Sequence, residues 1–411
     1  MDHRRFFPKA MCLLIGSSVL ALSSCSDSSG PSDDGGNPPA NGAPVAAFTH
    51  SPGTGTRDTL FVFDATPSTD PDDALEDLEV RWDLDGDGMY DTDWSADKDT
   101  TYLFPAAGTY VVVLEVRDPG GLSSTAEETL RVDYTWTAVV SGTFNDLYGV
   151  WGTSSSDVFA AGSAGTILHH NGTLWETMSS GTFNGMYEVW GVSSAKAWVA
   201  GFQGVARYYN GSAWINTIMS TTESFHCLWA SSGGTAYAVG TNAKIMYTTG
   251  TMWYGMTPPA GIPAATLYAV WGTSDDDIWA VGSDAGSAVV IHFDGGSWSI
   301  QAEDFAPALQ RLWGSSSTDI YATASDYTLW HYDGATWSQI DDPAIGYARS
   351  VHGTGQDDVY VLSNGRVVRF DGAAWQAMIF PVPRNYNDIW VAPDGTIFLV
   401  GSSGAAGLGE R

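Results

Sequence analysis

From residue 134 onward the chain is built of short apolar or alternating runs broken by Gly, Asn, Asp and Ser. Runs of this length between turn residues predict β-strands, and no long helical periodicity interrupts them. The first run of each unit returns about every forty residues: LYGVWGTS at 147–154, MYEVWGVS at 186–193, LYAVWGTS at 267–274 and LQRLWGSS at 309–316. Its column reads Trp151, Trp190, Trp229, Trp271, Trp313, His352 and Trp390, and a second column, in phrases such as DGATW at 333–337, reads Trp136, Trp175, Trp214, Trp253, Trp298, Trp337 and Trp375. Between them lie a middle run such as DIWAVG at 277–282 and a third such as VVIHF at 289–293. A four-stranded sheet of this size cannot bury both faces without neighbours, so repeated units must stack. Residues 134–411 are therefore expected to form a seven-bladed β-propeller. The last unit ends without an outer Trp, so the strand around Trp136 is expected to complete the last blade and pair the open edges of the ring.

Residues 44–133 have a different texture, with alternating strands at 59–63, 78–82 and 108–116. Their length of about ninety residues suits a small immunoglobulin-like β-sandwich with Trp82 inside. Residues 26–43, almost entirely Ser, Gly, Pro, Asp, Asn and Ala, have too little apolar surface to fold and predict a disordered linker. Ahead of them, Arg4, Arg5 and Lys9 precede an uncharged run that closes on Leu22-Ser23-Ser24-Cys25, the layout of a signal peptide over 1–25. The whole is all-β.

Several phrases resemble known families. Leu22 to Cys25 resembles the bacterial lipobox, which implies lipidation of Cys25 and a place in the bacterial cell envelope, at the outer membrane or cell surface, with the lipid as the one membrane contact. PVAAF at 44–48, FDATPSTD at 63–70, WDLDGDG at 82–88, AGTY at 107–110 and VRD at 116–118 resemble the PKD (polycystic kidney disease) domain family, which implies an extracellular spacer or contact module. The later repeats are similar to BNR and photosystem-II-assembly-factor-like propellers, which implies fold and extracytoplasmic placement. Adjacent Asp-Gly pairs such as Asp333-Gly334 depart from the sialidase Asp-box, where one residue separates the two. That departure argues against sialidase chemistry.

A formal net charge of -30 repels phosphate backbones, so nucleic acid is excluded as a partner. Of three cysteines, Cys12 and Cys25 lie in the leader, which leaves Cys227 alone and the fold without an intrachain disulfide. Asp83, Asp85, Asp87, Asp91 and Asp93 alternate through a Gly-containing turn and offer oxygens for a hard cation, so Ca2+ is the one cofactor expected. An EF-hand is rejected, because its closing Glu would fall at Trp94 and no flanking helices are written. His169, His292 and His331 occupy one repeat column in three units and read as packed strand residues. The connections from outer to next inner strand share one face of a ring, and Phe144, Phe183, Phe225, Phe305, Tyr347 and Arg384 on them are the expected contacts for a protein or polysaccharide. Binding and scaffolding without catalysis is the leading expectation; the alternative is a propeller-type hydrolase or lyase acting on extracellular glycans.

Overall fold

A computed structural model describes residues 41–378 and 384–411; Cys25 and most of the linker lie outside the described residues. The N-terminal module has two sheets. One runs Thr49–Ser51, Phe61–Asp64, Asp99–Tyr102; the other runs Gly55–Thr56, Ser123–Asp133, Gly108–Arg117, Glu79–Asp83. Strand alternation decides what is buried: Phe61 and Phe63 are fully enclosed while Val62 between them faces out. They share a core with Trp82, Phe104 and Leu114, and Phe48 meets Trp82 edge-on at 5.2 Å.

Seven four-stranded antiparallel sheets follow, six of them in plain chain order. The first strands of the sheets, Leu147–Ser154, Met186–Ser193, Phe225–Ala230, Thr266–Ser274, Leu309–Ser316, Ala348–Gly355 and Tyr386–Val391, each touch the next, and the seventh touches the first. In the last sheet Ala405–Glu410 pairs with Thr135–Val140, Ala405 opposite Val140 and Glu410 opposite Thr135.

The Trp-Gly repeat has a steric origin. A Cβ on Gly191, Gly272, Gly314, Gly353 or Gly152 would stand 2.5–3.1 Å from Cη2 of Trp151, Trp229, Trp271, Trp313 or Trp390 respectively. Each indole thus lies across the glycine of the next sheet, where any side chain would collide with it. Two positions break the rule in a matched way. Val391 follows His352, whose smaller ring leaves room. Ala230 follows Trp190, which is only half-buried and lies 6.5 Å from His352.

On the face where the innermost strands begin, short turns at Ser163–Gly165, Phe202–Gly204, Thr241–Ala243 and Ser402–Gly404 hydrogen-bond to the connections between sheets. Gly165 shows why these turns keep glycine: at φ +73° its Cβ would sit 1.9 Å from the Thr182 carbonyl. The N-terminal module packs on the opposite side of the last two sheets. Tyr134 meets Tyr360 at 2.8 Å between hydroxyls, Arg57 pairs with Glu410 at 2.5 Å, and Arg131 donates to Gln376 and to the Ala377 carbonyl. That leaves the loop face uncovered by the module. Among the described residues, no helix is long and apolar enough to cross a membrane.

Candidate functional site

The innermost strands converge on a funnel whose mouth, on the loop face, encloses about 520 Å³. Seven of its lining residues come from one column, three positions before the repeated Trp: Tyr148, Tyr187, His226, Tyr268, Gln310, Arg349 and Asn387. Their chemistry is split. Tyr148, Tyr187, His226 and Tyr268 form a continuous arc of rings with centroid separations of 5.7, 5.8 and 5.3 Å, Tyr187 and His226 being stacked. The other half carries Gln310, Asn387, Arg349 and, deeper, Arg311, with Tyr327 at the rim. Among the described residues no carboxylate lines the mouth, although the chain as a whole is strongly acidic.

Hydrogen bonds fix the polar half. Asn387 donates to the Leu147 carbonyl at 2.8 Å, Arg349 to the Tyr386 carbonyl at 3.2 Å, and Arg311 to the Tyr148 carbonyl at 3.4 Å. His226 Nε2 is enclosed and has no partner among the described residues. Burial, reinforced by nearby Arg311, pulls the imidazole below its ordinary pKa, so it favours the neutral form. Beside the mouth a groove of about 260 Å³ runs between Arg349 and Arg384, also without a carboxylate.

Beneath the mouth, one position further along the strands, stand Glu188, Arg311 and Asp388 around an inner cavity of about 40 Å³. Two buried carboxylates lie within the field of one guanidinium there. Asp388 accepts from the Val150 amide and the Ser350 hydroxyl, at 3.0 and 2.6 Å. Glu188 accepts from the adjacent Val189 amide at 3.1 Å. Burial, then repulsion from Asp388, raises the Glu188 pKa well above the ordinary value. Nearby, burial holds His352 down to about 3 and pushes the Cys227 thiol up to about 12, so neither is poised for proton transfer or nucleophilic attack at neutral pH.

The expected contact residues divide. Phe144 and Phe183 project almost wholly into solvent, 94% and 92% exposed, on equivalent Ser-Gly-Thr-Phe-Asn turns. Those turns are anchored: Ser141 donates to the Gly404 carbonyl and Ser180 to the Gly165 carbonyl, both at 2.6 Å. Tyr347 is exposed and meets Tyr327 edge-on at 5.8 Å, and Arg384 lines the side groove. Phe225 is a correction: it begins an innermost strand, in the column of Leu147, Met186 and Leu309, and is fully buried. Phe305 lies within the strand Trp298–Pro307 and packs on Trp330 and Trp337 at 5.4 and 6.1 Å, so it plugs two sheets together instead of tipping a loop.

Of the acidic turn, Asp83, Asp85 and Asp91 bring one oxygen each within 4.8 Å of one another, whereas Asp87 and Asp93 fall outside that group. Asp83 already accepts from the Gly86 and Gly88 amides, and Asp91 from Leu84. A second convergence joins Asp70 and Asp73 to Asp118, which lies 45 residues beyond Asp73 and is brought to them only by the fold. The column histidines are structural: Nε2 of His169, His292 and His331 each lies 2.7 Å from an Asp of its own sheet, Asp157, Asp277 or Asp319, which also accepts from Thr153, Thr273 or Ser315. Arg369 replaces histidine against Asp358 in the sixth sheet.

Comparison with known proteins agrees with this geometry at the level of fold. Residues 41–133 match the PKD domain family. No curated protein matches the chain in sequence. Among solved structures, YCF48 from Cyanidioschyzon merolae superposes with a TM-score of 0.54 at 16% identity, covering 66% of this chain and 98% of that one. YCF48 bound to D1 peptide gives 0.55 at 15%, covering 67% and 97%. Virginiamycin B lyase from Staphylococcus aureus gives 0.55 at 10%, covering 68% and 100%. The chain thus joins a PKD domain to a β-propeller, a fold shared by a protein solved with a bound peptide and by a lyase.

Proposed function

We propose that this is an envelope-tethered binding and scaffolding protein: Cys25 carries the lipid, residues 26–43 are the tether, the PKD domain is a β-sandwich spacer, and a seven-bladed propeller presents the ligand seat at its loop-face mouth. Seven four-stranded sheets with cyclically touching inner strands support the blade count. The observation that carries the function is the mouth itself, where an arc of four rings faces Arg311, Arg349 and two amides with no carboxylate among them. Aromatic faces and guanidinium groups at a concave, partly buried position are the chemistry of recognition of a protein or glycan. Phe144 and Phe183 on stiff turns add apolar contacts at the rim. YCF48, a propeller of this fold, is bound to a peptide in one structure, which is consistent with a protein ligand.

The hydrolase or lyase alternative receives less support, because the buried carboxyls whose pKa burial raises, Glu188 and Asp388, line the inner cavity beneath the mouth and not the open mouth itself. A glycan array combined with a hydrolysis screen, on protein lacking residues 1–25, separates the two: retention without turnover is expected, and turnover of any array glycan overturns the binding reading. Ca2+ is proposed for the PKD domain on the convergence of Asp83, Asp85 and Asp91; hard cations take six to eight oxygens, so carbonyls and water would complete the shell.

A further inference from the structure

We propose that the mouth of the propeller takes the uronate-bearing end of an acidic oligosaccharide, its carboxylate on Arg349 and Arg311 and its sugar ring against the arc Tyr148, Tyr187, His226, Tyr268. The inference rests on the reading of the loop face as the ligand seat and narrows it to one chemistry.

The first argument is the balance of donors and acceptors. Arg311 and Arg349 are pure donors, and the Asn387 and Gln310 amides can also donate. The Leu147, Tyr148 and Tyr386 carbonyls each already accept one hydrogen bond, from Asn387, Arg311 and Arg349. Among the described lining residues there is no carboxylate, so Arg349 meets no anionic partner at the mouth, while the tyrosine hydroxyls and the two amides can donate or accept. A peptide backbone brings no charge to offset that guanidinium. A carboxylated sugar brings a carboxylate that only accepts and hydroxyls that turn either way.

The second argument is the arc. Four rings from successive sheets, 5.3–5.8 Å apart, line a curved wall against which the apolar side of a pyranose can pack. The third is shape. A cavity of about 520 Å³ narrows onto Arg311, below which only about 40 Å³ remains, so the site is a dead end that admits a chain terminus and blocks threading. Arg349 also lines the side groove leading to Arg384, a second acid-free stretch over which the next sugar carboxylate would pass.

The test is calorimetric titration of protein lacking residues 1–25 with three acidic disaccharides (digalacturonate, dimannuronate and cellobiouronate), with neutral galactobiose, mannobiose and cellobiose, and with an acidic decapeptide. At least one acidic disaccharide should bind at least tenfold more tightly than its neutral counterpart, with an affinity that falls in 0.5 M salt. In Arg349→Met that preference should shrink to within about threefold, and Tyr187→Ala should weaken acidic and neutral sugars alike; unchanged melting of both variants excludes misfolding. Equal affinity for acidic and neutral sugars, or no binding of any acidic disaccharide, overturns the uronate inference and leaves the seat standing. Preference for the decapeptide, lost in both variants, does the same and assigns the seat to a protein. Sugar binding untouched by both variants overturns the seat itself.

Discussion

Gly314→Ala probes the packing that lets the sheets close on one another. A Cβ at this position would stand 2.8 Å from Trp271 Cη2 and 2.8 Å from the Asp319 carbonyl, against about 3.4–4 Å for ordinary contact, so the indole and the hairpin must both yield by about 0.6 Å or more. Overpacking by one methyl in a close-packed site costs about 1–3 kcal/mol, and with one of the two obstacles being backbone about 2 kcal/mol is expected. The ring has an escape, displayed by Trp190, which precedes Ala230 and is only half-buried beside His352. Trp271→His, copying the His352 and Val391 pairing, should remove the ring's share of the clash. The double variant should then be less destabilised than the sum of the singles by about 0.5–1 kcal/mol, the signature of a direct contact. Urea unfolding followed by tryptophan fluorescence reads both quantities as midpoint shifts. A cost below about 0.5 kcal/mol for Gly314→Ala, or strict additivity with Trp271→His, would refute the steric account of the Trp-Gly repeat.

Three further outcomes follow from the site and its supports. Asp277→Ala strips the acceptor from His292, Trp279 and Thr273 and should cost about 2–3 kcal/mol by urea unfolding without altering ligand retention on the array; loss of retention at unchanged stability would contradict the structural role of this column. Glu188 has a raised folded pKa, so its contribution to stability is intact below the ordinary carboxylate value and is lost as pH rises through the folded one. Glu188→Gln should accordingly be more stable than the parent at pH 8, with the gap closing as pH falls toward 4.5, and a gap that widens on acidification would reverse the assignment. Addition of Ca2+ should raise the melting temperature and chelator lower it, both effects disappearing in Asp85→Ala; melting indifferent to chelator removes the cation from the PKD turn.

What the sequence made legible was whatever repeats. The Trp and Gly of each unit recur because one indole must lie across the next glycine, and that demand is the same in each sheet that carries the pair. The PKD phrases were legible for the same reason, being the positions the fold needs. The mouth was not, because its column is defined by variation: Tyr148, Tyr187, His226, Tyr268, Gln310, Arg349 and Asn387 differ in type while sharing one place, three residues before each ring. Recurrence alone passes over such a column, although its variety one residue after a buried column of Leu147, Met186, Phe225, Leu267, Leu309, Ala348 and Tyr386 was the available signal. The charges beneath it were hidden likewise, since Glu188, Arg311 and Asp388 belong to three distant units that only the ring brings together. Phe225 and Phe305 misled because aromatic type does not tell a loop tip from a strand start; register does.

The account turns on the ligand entering at the loop-face mouth, and amide hydrogen exchange tests this most directly. With whichever glycan or peptide the binding screens retain, exchange should slow in peptides that begin the innermost strands, around residues 147–149, 186–188, 225–227 and 348–350. It should be unchanged at the opposite turns, around 171–174 and 210–213. Slowing confined to those opposite turns, or to residues 44–133, would contradict it.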